Sequence, residues 1–187
     1  MVKKRNEKNY IKYVAFLRGI NVGGNKKVPM EELRIAFSDI GFSNAKTLLN
    51  TGNVVFDAEE KNLKKLKEAI EIGLEKTFGW KIEVLLRTQE SLQKMVSENP
   101  FAKIEITSQT RLYVTFLPEN IPTTLEIPYK SENNLFQILD LKDDALFSVL
   151  TISQDGDSLK LMDVIGKEFG KNITTRNWNT VRKIAAL

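Results

Sequence analysis

Residues 45 to 58 read AKTLLNTGNVVFDA. Two short β-prone runs, AKTLLN and NVVFDA, flank Thr51-Gly52, where glycine can take the positive φ that a tight hairpin demands. What stands on either side of this hairpin decides the fold. Upstream, YIKYVAFL (10–17) is β-branched and aromatic enough for a strand. Pro29 then suits a helix N1 position, and Leu33, Ile35, Ala36, Phe37 and Ile40 supply an apolar stripe that stops at Gly41. Downstream, Leu63, Leu66, Ile70 and Leu74 mark one face of a helix over residues 62–78, closed by Gly79, and KIEVLLR (81–87) is a further strand.

The order βαββαβ is the ferredoxin-like split motif. A second half reads in the same way. TQESLQKMVSENP is a linker helix with Thr88 as its N-cap, and RLYVTFL (111–117) is a strand. LFQILD and ALFSVLTI form a hairpin around Lys142 to Asp144, DSLKLMDVIGKEFG is a helix closed by Gly170, and NITTR adds a strand before a terminal helix over 177–186. YVAFL (13–17) and YVTFL (113–117) differ at one position, consistent either with duplication of one unit or with chance likeness between core strands. Where the second unit would carry its first helix, PENIPTTLEIPYKSENN is proline-rich and irregular. The expected fold class is α+β, with two ferredoxin-like subdomains packed together and a C-terminal helix. The expected bounds are a basic tail over 1–9, a first subdomain over 10–87, a linker helix and loop over 88–110, and a second subdomain over 111–187.

A chain of 187 residues with 42% hydrophobic content is ordinary for a folded globular protein. No apolar run approaches the roughly 20 residues that cross a bilayer, and MVKKRNEKNY has no apolar segment of a secretory signal, so a cytoplasmic protein without membrane association is expected. Cysteine and histidine are both absent, which removes disulfides, thiolate nucleophiles, zinc sites and the usual neutral-pH base. Net charge is +4, and its placement is uneven. Lys3, Lys4, Arg5 and Lys8 stand in the tail, Arg18, Lys26 and Lys27 in the stretch LRGINVGGNKK (17–27), and Arg176, Arg182 and Lys183 near the end, the last two groups with no acid among them. Cationic segregation of this kind suits an anionic partner.

Three stretches, YVAFLRGINVGGNKKVPMEEL, TLLNTGNVVFDA and ITTRNWNTVRKIAAL, resemble the opening, hairpin and closing motifs of the bacterial DUF1697 family, a domain-of-unknown-function family. The resemblance runs from Tyr13 to Ala186 and implies paired ferredoxin-like α+β subdomains with no assigned activity. One departure is the stretch QDGDSLKL, which keeps a single glycine, Gly156, where the family has a glycine-rich turn with a Ser-Lys-Leu run. No site is therefore carried onto Ser158 and Lys160.

In a βαββαβ unit the first two strands point the same way, so the loops that follow them share one edge of the sheet. That places the Gly19–Lys27 loop beside the turn Asn50-Thr51-Gly52-Asn53, together with the Gly79-Trp80 corner. The residues expected to line a small rim pocket are Arg18, Asn21, Gly23, Gly24 and Lys26 from the loop and Asn50, Thr51, Gly52 and Asn53 from the turn. Arg176 and Asn177 of the closing stretch join them if the last helix packs near the first sheet. The ligand would be a phosphate-bearing small molecule, a carboxylate or a nucleotide. A purely structural reading stands beside it: the glycines permit a tight crossover and Asn21 and Asn25 satisfy loop backbone. The spacing Gly19 to Gly24 is close to a Walker loop, but Asn25 precedes Lys26 and no Ser or Thr follows to hold magnesium. No cofactor motif and no metal-ligand set is read.

Three other roles bound this expectation. A nucleic-acid platform could use Tyr13, Phe16 and Phe56, yet TGNVVFDA lacks the basic-glycine-aromatic signature, and both faces of the first strand are apolar. An enzyme acting on a small anionic metabolite would have to draw its acid and base from residues such as Lys26, Glu31 or Tyr113. A structural or protein-interaction role would leave the basic tail incidental. In the closing stretch Trp178, Val181 and Ala185 fall on one helical face and are assigned to the core.

Overall fold

A computed structural model describes residues 10–22, 26–132, 134–153 and 157–187. The basic tail and Gly23, Gly24 and Asn25 of the glycine loop lie outside them. The fold is mixed α+β, with two antiparallel sheets and, among the described residues, five helices. The chain divides into two compact units, Met1–Ser91 and Leu92–Ala186.

The first unit runs β1 (Ile11–Leu17), α1 (Met30–Asp39), β2 (Ser43–Leu48), β3 (Asn53–Ala58), α2 (Leu63–Phe78) and β4 (Val84–Thr88). Its strands lie in the order β2-β3-β1-β4, each antiparallel to its neighbour. Alternation along β1 puts Tyr13, Ala15 and Leu17 on one face with Val54, Phe56 and Leu86, and the buried stripes Leu33, Ala36, Phe37 and Leu66, Ile70, Leu74 of the two helices complete that core. Phe56 is its centre, with ring centroids 5.1 Å from Phe37 and 5.9 Å from Tyr13. The opposite face is buried as well, at Val14, Phe16, Val55 and Leu85.

Local chemistry accounts for the element ends. The Asn62 side chain accepts from the Lys65 amide to cap α2, and Gly79 closes that helix in the left-handed region at φ 80°. Pro29 sits at the cap position of α1 rather than inside its first turn. Ile35 departs from the expected stripe and is 54% exposed. It lies two residues beyond Leu33, about 200° around the helix, so it cannot share the face of Leu33, Ala36 and Phe37. A Cβ on Gly73 of α2 would fall 2.4 Å from Ile40 Cγ1, so α2 and the end of α1 meet at a position that has no room for a side chain. The fourth strand begins at Val84, three residues later than the pattern KIEVLLR suggests.

Helix α3 (Gln89–Glu98) carries the boundary between the units, and Thr88 Oγ1 accepts from the Ser91 amide at its start. The second unit then runs β5 (Thr110–Phe116), β6 (Tyr129–Lys130), β7 (Phe136–Lys142), β8 (Ala145–Thr151), α4 (Asp157–Phe169), β9 (Thr174–Asn177) and α5 (Trp178–Ala185). Its strand order is β6-β7-β8-β5-β9, again antiparallel. Leu161, Ile165 and Phe169 of α4 pack on Leu117, Ile138, Leu146 and Leu150. Among its described residues the proline-rich stretch after β5 forms no helix. It is tied to α4 instead, because the Glu168 carboxylate accepts from the Thr123 hydroxyl and from the Thr124 and Leu125 amides. The short edge strand β6 has no counterpart in the sequence reading, since two residues carry no periodicity.

Candidate functional site

Within the first unit the glycine loop and the hairpin turn meet. The Leu17 amide donates to the Gly52 carbonyl at 2.8 Å, and the Asn21 side-chain amide donates to the Asn50 carbonyl at 2.9 Å. The same amide reaches the Val28 carbonyl at 3.1 Å, and Asn21 Oδ1 accepts from the Val28 amide at 2.8 Å. One asparagine, itself at φ 56°, therefore closes the loop on itself and pins it to the turn. Gly52 is needed twice over: it sits at φ 73°, and a Cβ there would lie 2.8 Å from both Ile20 Cδ1 and Leu17 Cβ.

The other polar groups of this rim are also engaged. Asn53 is fully buried and its amide donates to the Leu48 carbonyl and to Thr51 Oγ1, both at 2.9 Å. Arg18 Nη1 is paired with the Glu83 carboxylate, and the Arg18 amide donates to the Glu83 carbonyl. Trp80 packs against the first core beside Phe78. Lys26 and Lys27 are exposed, and Gly23 and Gly24 lie outside the described residues.

Arg176 and Asn177 belong to the second unit. Being consecutive on β9, they point to opposite faces of the sheet. Arg176 is half-buried, and its Nη1 donates to Thr174 Oγ1 and to the Thr175 carbonyl. Burial pulls its pKa down to about 10, so it keeps its charge at neutral pH. Asn177 caps α5, its Oδ1 accepting from the Asn179 amide at 2.9 Å.

Asn177 also lines a cavity of about 520 Å³ contained within the second unit. The start of β5 contributes Thr110, Arg111 and Leu112, the preceding segment Asn99, Phe101 and Ile106, and α5 Trp178, Asn179 and Arg182. The lining holds two guanidinium groups and no carboxylate. Arg111 is held in place by its own Nη1, which donates to the Ser108 and Thr110 carbonyls at 2.8 and 3.0 Å. Those bonds engage Nη1 and leave the Nε and Nη2 edge, which can take an oxyanion through two parallel hydrogen bonds. Asn177 Oδ1 is committed to the helix cap, and its NH₂ group carries the side chain's two donors. Phe101, which also lines the cavity, packs edge-on against Trp178 and Phe147, with centroids at 5.2 and 5.9 Å.

Of the cavity residues, Asn177 is the one named as a site residue from the sequence, and there as part of the first unit's rim rather than of this cavity. The acid-free run after Arg176 points toward Arg182, but its spacing alone does not say which helical face meets a cavity. Arg111 opens an ordinary strand and carries no local signal, and Asn99, Phe101 and Ile106 come from an irregular segment. Among the described residues there is no group of three or more carboxylates placed to hold a metal ion, and no helix long and apolar enough to cross a membrane.

The profile of the family described as "Protein of unknown function (DUF1697)" matches residues 11–147, and the chain belongs to that family. Among solved structures it is similar to a conserved bacterial protein from Streptococcus pneumoniae, with a TM-score of 0.71 and 20% identity, over 95% of this chain and 98% of that one. An unknown protein from Galdieria sulphuraria aligns over 90% of this chain and 99% of that one, with a TM-score of 0.28 and 14% identity. The first likeness concerns the fold, and the second is too distant to carry an argument. No curated protein matches.

Proposed function

We propose that this protein binds a small phosphate- or carboxylate-bearing molecule in the cavity of its second unit. The observation that carries the reading is the donor-rich lining: an oriented Arg111 fork, Arg182 and the amide end of Asn177, with no acid among the lining residues. Pockets of a few hundred Å³ with an apolar body and a few convergent polar groups are the usual form of small-molecule sites. The rim of the first unit is the second choice, because the Asn21 and Asn53 side chains are already bonded to backbone carbonyls there and Arg18 is paired with Glu83. That rim also carries the exposed cations Lys26 and Lys27. A flat nucleic-acid platform on the first sheet is disfavoured by the burial of Val14, Phe16, Val55 and Leu85.

We also read each unit as ferredoxin-like. The order β2-β3-β1-β4 supports this in the first unit, and the order β7-β8-β5-β9 in the second, with β6 added at the edge and the first helix replaced by the Glu168-bound segment.

Thermal denaturation of the full chain against inorganic phosphate, small carboxylates and phosphorylated metabolites tests the binding reading, because a ligand that prefers the folded state raises the apparent Tm. A rise that disappears in the double variant R111Q/R182Q is expected. No shift with any of these anions at low salt would sink it.

A further inference from the structure

The cavity has two chemically different walls, and an inorganic anion needs only one of them. Arg111, Arg182 and the amide end of Asn177 form the donor wall. The other is apolar, with Ile106 and Leu112 beside the Phe101–Trp178 pair. Phe101 and Trp178 are 4% and 6% exposed and belong to the packed interior, but Ile106 is 63% exposed. An isoleucine left open at the lip of a cation-lined cavity gains from burial only when something apolar covers it. The space agrees, since about 520 Å³ is on the order of seventeen water volumes at roughly 30 Å³ each, far more than a phosphate ion fills.

Asn99 and Asn179 sharpen the class of that apolar group. Both line the cavity. Asn179 is engaged through its backbone amide by the Asn177 cap, and Asn99 through its backbone to Met95 and Ala102. Each carboxamide can then offer a donor and an acceptor side by side, the pattern that matches the edge of a heterocyclic base better than a plain hydrocarbon ring.

Resting on the anion-binding reading above, we infer that the ligand is a nucleoside monophosphate, its phosphate held by Arg111 and Arg182 and its base lying on Ile106 and Leu112 within reach of Asn99 and Asn179. The phosphate supplies the charge that the donor wall answers. The base supplies the cover that Ile106 lacks.

Trp178 provides the readout. In a W80F variant of the full chain Trp178 is the sole tryptophan, and its emission reports occupancy of the cavity. Titration at low salt with inorganic phosphate, ribose 5-phosphate and the purine and pyrimidine nucleoside monophosphates, repeated by calorimetry on the unmodified chain, is expected to show nucleotides binding at least about tenfold more tightly than phosphate or the sugar phosphate. Ile106→Ser should narrow that ratio, and Arg182→Gln should weaken every anion. Equal affinity for phosphate and nucleotides, or a ratio untouched by Ile106→Ser, overturns the nucleotide inference and leaves anion binding standing. Failure of every anion to bind removes both. An oligonucleotide that binds far more tightly than any mononucleotide, with steep loss on added salt, overturns the inference in favour of a single strand.

Discussion

Asn21 shows how much of the first unit's loop architecture rests on one side chain. It accepts from the Val28 amide and donates to the Val28 and Asn50 carbonyls, and its backbone stands in the left-handed region that asparagine tolerates better than most residues. Asn21→Ala removes all three side-chain bonds and adds backbone strain, and should lower unfolding free energy by about 1–3 kcal/mol, read from the urea midpoint at unchanged m. Gly52→Ala meets a sharper obstacle, because the new Cβ collides with Leu17 and Ile20 where the chain already has positive φ. A loss of at least about 2 kcal/mol is expected, and an unchanged midpoint would show that the turn can open without loss. The presence of polar residues in both stretches was legible in the sequence. That the two stretches meet was legible too, from the βαββαβ order, but which groups bond was not, because hydrogen-bond partners 29 residues apart leave no local pattern.

At the scale of elements, two contacts do work that periodicity does not reveal. Alanine normally favours a helix over glycine by about 1 kcal/mol, yet Gly73→Ala places a Cβ against Ile40 and should destabilise the first unit. A gain in thermal stability for this variant would mean that the two helices shift apart freely. In the second unit Glu168 replaces a helix with a tether. Its hydrogen bonds to Thr123, Thr124 and Leu125 hold the carboxyl below its ordinary value of 4.5. A lowered folded-state pKa contributes stability that is present above that ordinary value and is lost as pH falls through the lower folded value. Glu168→Gln should therefore be less stable than the parent at neutral pH, and the two should converge in acid below pH 4.5. A stability difference that stays constant from neutral pH into acid would assign the tether to shape alone. Helix and strand positions were largely readable, since stripes such as Leu66, Ile70 and Leu74 repeat at helical spacing. Ile35 and the two-residue β6 were not, the one because a stripe was read too broadly and the other because it is too short to have a period.

Across the whole molecule, charge is sorted more sharply than the net value of +4 suggests. The cavity of the second unit is lined by two arginines and no acid, although acidic residues are frequent elsewhere in that unit. Binding of a small anion there should weaken as ionic strength rises from about 0.05 to about 0.5 M, by a modest factor because the fork of Arg111 is already oriented by its carbonyl partners. Affinity independent of salt would place the anion away from both guanidinium groups.

The amino-acid sequence by itself determined the family and the order and type of every longer element, the two-residue β6 excepted, because glycine and proline punctuation, apolar period and contiguous motifs are local properties of a chain. The tertiary structure decided which polar groups are already answered and which are left for a ligand. Asn21 and Arg182 are equally polar on paper, but the strand register of one unit closes a loop over the first, while the packing of α5 beside β5 in the other leaves the second at the wall of a cavity. That difference arises from pairings between residues far apart in the chain, and it exists only once both sheets have formed.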